Sequence, residues 1–374
     1  MVDLSMKVYF AGGIARMNPL NPTCRAVVAA SLVLTTSLFA TASQAVTSTT
    51  PVQYRFLPAY DHVVIVMEEN QQAITIKDNP SCPYSNWLFN HGAYITESWG
   101  VEHPSQPNYF DLFAGEDENQ YADSLPASAP QPNSADNLGA ELMHHGLSFA
   151  GYSEDLPSVG DNTDLFANDP ADPAGTEDYA RKHNPWCNWQ NDAYYANIGN
   201  LGSNYLPSTV NQPFSTFATM TDYSQLPTVS IIVPNQQHDD HGVAGGLSGD
   251  PLLAAGDTWL QNNLSAYAAW AKNHNSLLIV TWDEDDYTSI NQIPTVFYGA
   301  KVKDGQFPEF GSLAYTSVIN GVGQPSGAPI YRMVHGINHW SILRTVEDIY
   351  GTGYAGQSNK VTPVTDVFVP VVSN

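Results

Sequence analysis

Three stretches of this chain are apolar or β-branched at nearly every position and then stop on polar groups. Val63-Val64-Ile65-Val66-Met67 runs into Glu68-Glu69-Asn70, and Thr228-Val229-Ser230-Ile231-Ile232-Val233 runs into Pro234-Asn235. Leu277-Leu278-Ile279-Val280-Thr281-Trp282 runs into Asp283-Glu284-Asp285-Asp286. A strand with one wet face alternates between apolar and polar residues. A strand without that alternation is covered on both faces. Such strands belong to a mostly parallel sheet with helices above and below it.

The rest of the sequence supplies those helices. Ser105 stands ready to cap a helix over 105–115, with Pro107 in its first turn and Gly115 as its stop. Asp136 precedes a short helix with Leu138 and Leu142 on one face, and a strand-like Leu147–Tyr152 follows. Leu260, Leu264, Tyr267, Ala268 and Ala271 recur at helical spacing within 257–273, and 293–299 reads as another strand. Asn338 caps a last helix to Tyr350, stopped by Gly351. Residues 155–200, rich in Asp, Asn, Pro and Gly, read as a long excursion over the surface. There is no internal repeat, and the order of elements indicates one α/β domain over 60–374.

The N-terminus bears on compartment. Residues 1–16 read as an upstream extension and Met17 as a start. Arg25 is followed by an apolar run of about 15 residues ending near Ser43-Gln44-Ala45, the layout of a secretory signal peptide. The run is short for a membrane span. We therefore expect a leader over 1–45, a lead-in over 46–59, and an exported chain, periplasmic or extracellular, with no integral membrane segment. Cys24 falls in the leader. Cys82 and Cys187 remain, an even number that in an oxidising compartment predicts one disulfide.

Acidic residues outnumber basic ones 37 to 13. Loss of the leader would leave a net charge of −26. That field excludes nucleic acid as a primary partner. The strand ends add a local problem. Glu69-Asn70, Asp283-Glu284 and the His238-Asp239-Asp240-His241 loop would share one sheet edge, where α/β sheets place their sites. Two carboxylates 4 Å apart repel by roughly 4 kcal/mol at an effective dielectric of about 20. A divalent cation relieves that repulsion and attracts phosphate to an acidic protein.

The segments H-V-V-I-V-M-E-E-N-Q, H-P-S-Q-P-N-Y-F-D-L-F-A-G, K-H-N-P-W, V-P-N-Q-Q-H-D-D-H-G, V-T-W-D-E-D-D and N-H-W-S-I-L-R-T-V-E-D-I-Y-G occur in that order over roughly 60–352. Together they resemble the bacterial phosphoesterase family of the alkaline phosphatase superfamily. That family holds secreted acid phosphatases, phosphatidylinositol-3-phosphate phosphatases and phospholipases C. The resemblance implies a three-layer α/β/α alkaline-phosphatase-like domain with a mostly parallel central sheet. It implies Ser105 as nucleophile and Glu69, Asn70, Ser105, Asp283 and Glu284 around a divalent metal ion. His241 or His339 would protonate the leaving group. Asn108, His183, His238 and Asp239 would contact the phosphate. The D-x-H spacing of Asp239 and His241 is shorter than in two-metal relatives, so one ion is expected. Oxygen ligands suit a hard ion, while the nearby histidines admit zinc.

The expected function is phosphomonoester hydrolysis of the acid phosphatase type through a phosphoserine. The substrate would be a small phosphate ester, a phosphoinositide headgroup among the candidates. The alternatives are a phospholipase C-like phosphodiesterase and an inactive phosphate-ligand-binding protein on the same scaffold. The chain ends about 20 residues after its last helix, without a long C-terminal extension, which favours the monoesterase.

Overall fold

In the computed structural model, eight strands form one sheet. In chain order they are β1 (His62–Glu68), β2 (Ala93–Ile95), β3 (Phe149–Ser153), β4 (Asn211–Pro213), β5 (Val229–Val233), β6 (Ser276–Trp282), β7 (Thr295–Gly299) and β8 (Gly305–Phe307). The structure describes residues 53–55, 57–118, 123, 132–163, 166–167, 178–195, 203–287, 290–309, 312–317 and 331–373. The leader expected over 1–45 lies outside them. The spatial order is β8-β2-β7-β6-β1-β5-β3-β4. Strands β6, β1, β5, β3 and β4 are parallel, β7 is antiparallel to both β6 and β2, and β8 pairs parallel with β2.

The two-sided burial expected from the sequence is present. Val63, Ile65 and Met67 of β1, with Leu277 and Ile279 of β6, enter one core; Val64 and Val66, with Leu278, Val280 and Trp282, enter the other. The first core is closed by α2 (Ser105–Ala114), α3 (Leu138–His144) and α6 (His339–Tyr350); the second by α1 (Pro83–His91), α4 (Phe214–Ala218) and α5 (Asp250–Ala271). The architecture is three layers, α/β/α, around a mostly parallel sheet. Among the described residues no helix is long and apolar enough to cross a membrane.

Several details depart from the sequence reading. Helix α5 begins at Asp250, where Pro251 in the first turn favours initiation. The cap of α3 is Asn137, whose side chain accepts from Ala140 N–H at 2.9 Å, one residue beyond Asp136. Residues 53–55 of the expected lead-in pair antiparallel with 371–373.

Part of the 155–200 excursion is core. Residues Tyr179, Trp186, Cys187 and Trp189 are buried. Trp186 lies flat against β3 because residue 151 is glycine: a Cβ there would stand 2.1 Å from the indole ring. The composition of the excursion hid this, since two tryptophans are diluted among polar neighbours.

The expected disulfide is not formed. Cys82 and Cys187 are separate buried thiols, and they sit in the two cores on opposite faces of the sheet. The sheet itself stands between them, far beyond the few ångströms a disulfide spans.

Candidate active site

Strand order builds the site. β1 lies between β5 and β6, so the residues after these three strands become neighbours. Glu69 N–H donates to the Asp239 carbonyl at 2.6 Å, and Asp283 N–H donates to the Glu68 carbonyl at 2.9 Å. Asn70 takes a left-handed conformation (φ 45°), which Asn tolerates better than most residues, and its N–H donates to Asp283 Oδ1 at 3.0 Å.

Helix α2 delivers Ser105 to this edge. Every residue of α2 is buried, and the helix stops at Gly115 in the left-handed conformation (φ 76°). Ser105 is its first residue and does not cap it; Pro104 occupies the N-cap position. The hydroxyl is used otherwise. Ser105 Oγ donates to Glu69 Oε2 at 2.9 Å and lies 3.3 Å from both Asn70 Oδ1 and Glu284 Oε1. Tyr109, one turn further along the same helix face, donates its hydroxyl to Glu69 Oε1 at 2.5 Å. His183 Nε2 is 3.1 Å from that same oxygen, with its ring stacked on Tyr109 at 4.8 Å. Glu69 thus faces Ser105 and Asn70 with one oxygen, Tyr109 and His183 with the other.

The electrostatics follow from burial. Glu69, Asp239, Asp283 and Glu284 are all buried. Burial raises the pKa of each. Glu69 pushes Asp239 and Asp283 further up, and Asp283 does the same to Glu284. Against burial, His241 and Lys182 pull Glu69 back down, helped by the Tyr109 and Ser105 hydrogen bonds. His183 is held neutral by burial, reinforced by Lys182 and His241.

Such a cluster fits a cation. The Asn70 carboxamide reaches Glu69 Oε2 at 2.9 Å and Asp283 Oδ1 at 3.2 Å, where its nitrogen can donate to both carboxylates. A cation among these carboxylates would instead take its oxygen. Glu69, His183 and Asp239 also offer ligand atoms within 4.8 Å of one another. His183 therefore stands among groups that can hold a metal, a place the sequence reading gave to phosphate contact.

Three other expectations are corrected. Asn108 does not face the site: its Oδ1 accepts from Val101 and Glu102 N–H at 3.0 Å, and its Nδ2 donates to the Glu102 and Pro104 carbonyls. It braces the loop that leads into α2. His238 turns to Glu154, with Nδ1 3.0 Å from Oε2. His339 is buried, and its Nε2 is bonded to the Asp283 carbonyl at 2.6 Å, which makes it a support of the β6 end rather than an accessible proton donor. Burial lowers its pKa to about 4. His241 remains exposed at the rim; its N–H donates to Asp239 Oδ1 at 2.8 Å and its Nδ1 lies 2.6 Å from the Gly242 carbonyl.

Four groups were not assigned from sequence. Tyr109 and Lys182 are two. Another is His103, whose Nδ1 lies 2.5 Å from Glu284 Oε2 and whose ring packs on Tyr287 at 4.2 Å. The fourth, Asp123, pairs with Lys182 at 2.5 Å. The position of Tyr109 four residues after Ser105 was a readable signal. The others depend on long-range contacts.

Buried carboxylates, a helix-opening serine and neutral histidines on one sheet edge are the parts of a hydrolytic enzyme, and comparison narrows the class to the phosphoric ester hydrolases. The chain belongs to the phosphoesterase family, whose model matches residues 72–353. It is similar to a phosphatidylinositol-3-phosphatase of Mycobacterium tuberculosis, 38% identical over 312 residues that make up 83% of this chain and 84% of that protein. It is also similar to an acid phosphatase of Aspergillus fumigatus, 27% identical over 303 residues, 74% of this chain and 62% of that protein. A solved structure of a protein in the alkaline phosphatase superfamily from Vibrio parahaemolyticus matches with a TM-score of 0.49 at 9% identity, covering 81% of this chain and 70% of that one.

Proposed function

We propose that this chain is an exported, metal-dependent phosphomonoesterase that works through a phosphoserine at Ser105. The observation that carries this reading is the convergence of Glu69 Oε2, Glu284 Oε1 and the Asn70 carboxamide within 3.3 Å of one helix-opening hydroxyl. The relatives named phosphatidylinositol-3-phosphatase and acid phosphatase support phosphate esters as the substrate class, a phosphoinositide headgroup among them. Export rests on the leader-like sequence of residues 1–45.

Ser105 attacks phosphorus as its proton passes to Glu69, whose burial makes it a stronger base than an exposed carboxylate. The Oγ–P bond forms as the ester P–O bond breaks, and the leaving oxygen takes a proton from His241 at the rim. Water then attacks the phosphoserine and gives up a proton to His241, the P–Oγ bond breaks, and the proton held by Glu69 returns to Ser105. The leading N–H groups of α2 add positive potential where the phosphoryl oxygens gather charge. Glu69, Asn70, Asp283 and Glu284 would hold the divalent ion, with His183 and Asp239 adjoining through Glu69. Bound there, the ion would supply Lewis-acid stabilisation of phosphoryl charge and a lowered pKa for the serine.

Rapidly quenched enzyme should carry phosphate on the peptide containing Ser105 during turnover of p-nitrophenyl phosphate, and the bis ester should turn over far more slowly. Label on another residue would overturn the assignment.

A further inference from the structure

Asp123 sets its carboxylate on two donors beside Ser105. Oδ1 accepts from Gln106 N–H at 3.1 Å, and Oδ2 pairs with Lys182 Nζ at 2.5 Å. Gln106 is the second residue of α2, so its N–H is one of the helix's leading donors without an intrahelical partner, at the end where an anion is favoured. Lys182 precedes His183, whose Nε2 is 3.1 Å from Glu69 Oε1, and Gln106 directly follows Ser105 on α2. These neighbours place the pair beside the reacting group and not on a remote surface.

A carboxylate is the wrong charge for this position on general grounds. Glu69, Asp283 and Glu284 already crowd the edge, and Asp123 and Glu284 repel one another. Asp123 is held by a helix N–H and an ammonium, which are the donors a phosphoryl group takes: fixed, convergent and positive. Both a carboxylate and a phosphoryl face present two oxygens and a negative charge to such a pair. With side-chain exposures of 17% for Lys182 and 37% for Asp123, the seat is open enough for exchange.

Resting on the reading of this edge as a phosphatase site, we propose that Lys182 Nζ and Gln106 N–H form the seat of the substrate's phosphoryl group, and that Asp123 occupies it as an internal stand-in that substrate must displace. The donors then serve two anions in turn, and Asp123 sets how much phosphate is needed to fill the site. The alternative is an ordinary ion pair that only ties residue 123 to the Lys182 segment.

The test is the affinity of the metal-loaded protein for inorganic phosphate, measured by calorimetry. If Asp123 fills the seat nine-tenths of the time, Asp123→Ala should tighten phosphate binding about tenfold. Lys182→Met should weaken it by about tenfold or more, and Lys182→Arg, which keeps the charge, should retain most of the affinity. In the double variant the gain from Asp123→Ala should largely vanish, since the contested donor is gone. Unchanged or weaker phosphate binding in a folded Asp123→Ala protein would overturn the proposal, as would unchanged binding in Lys182→Met. Binding does not require turnover, so the outcome is separable from the nucleophile. Turnover retained in Ser105→Ala would remove the phosphoserine and leave the seat standing; failure of the Asp123 arms with Ser105→Ala inactive would do the reverse.

Discussion

Tyr109 donates its hydroxyl to Glu69 Oε1 at 2.5 Å, while Ser105, one turn earlier on the same helix, donates to Oε2 at 2.9 Å. The buried helix α2 therefore grips both oxygens of one strand-end carboxylate. That grip makes the position and the charge of Glu69 properties of the helix as much as of the strand.

Removing the two hydroxyls should have different effects. Ser105→Ala should leave the fold intact and cut turnover of p-nitrophenyl phosphate by several orders of magnitude. Tyr109→Phe removes a hydrogen bond that favours ionised Glu69. The Glu69 pKa then rises, and the acid limb of the kcat/KM profile should move to higher pH, with turnover partly retained. An unmoved acid limb would show that Tyr109 serves packing alone.

Metal removal should abolish activity, and one divalent ion should restore it. Burial raises the pKa of Glu69, Asp239, Asp283 and Glu284, and repulsion from neighbouring carboxylates raises the last three further, so binding an ion should release protons. Calorimetry in buffers of different ionisation enthalpy measures that release. Full activity in protein shown to be metal-free by elemental analysis would remove the metal from the mechanism.

Stability should carry a signature from Glu347 of α6. This carboxyl is buried, accepts from Ala355 N–H at 2.8 Å, and is raised by burial to about 7. The folded chain binds its proton more tightly than the unfolded chain. The resulting stability is full below pH about 4.5 and is lost as pH rises through about 7. Glu347→Gln cannot titrate, so the loss of unfolding free energy between acid and mildly alkaline pH should shrink by about 3 kcal/mol. Denaturant titrations at the two ends of that range check it.

The two thiols should be hidden but free. Burial, with lesser contributions from nearby charges, pushes both Cys82 and Cys187 up to about 12. Native protein should resist thiol reagents at both positions, and denatured, unreduced protein should label at both. Absence of label at these two positions would restore the disulfide.

The long strands were legible because covering both faces leaves few polar positions, a pattern that β1, β5 and β6 carry through their centres, with Ser230 and Thr281 as small exceptions. Strands β2, β4 and β8, with sequences A-Y-I, N-Q-P and G-Q-F, hold no such pattern. Their neighbours make them strands. At the site, Glu69, Asn70, Ser105 and Asp283 could be named from strand ends and family motifs. What those could not settle was orientation. His238 and His241 lie three apart, and Glu154 at the end of β3 takes the first, while Asp240 in a left-handed conformation (φ 76°) re-aims the chain before the second. Asn108 lies on the same helix as Ser105, but the bare loop amides of 101–102 claim its carboxamide. His103 and Lys182 sat inside recognised segments, yet their partners, Glu284 and Asp123, are distant in sequence.

The missing side chain at residue 151 has a consequence for motion. Trp186 can rest on β3 only because nothing projects there, and the same short segment carries Lys182 and His183 to Glu69. The stretch has the composition of a loose surface loop, yet it is pinned in the sheet's interior by an indole. Opening it means pulling a tryptophan out of the core, so its amides should exchange with solvent on the slow schedule of global unfolding, unlike those of an ordinary loop. Two of the site's basic side chains would then keep time with the sheet.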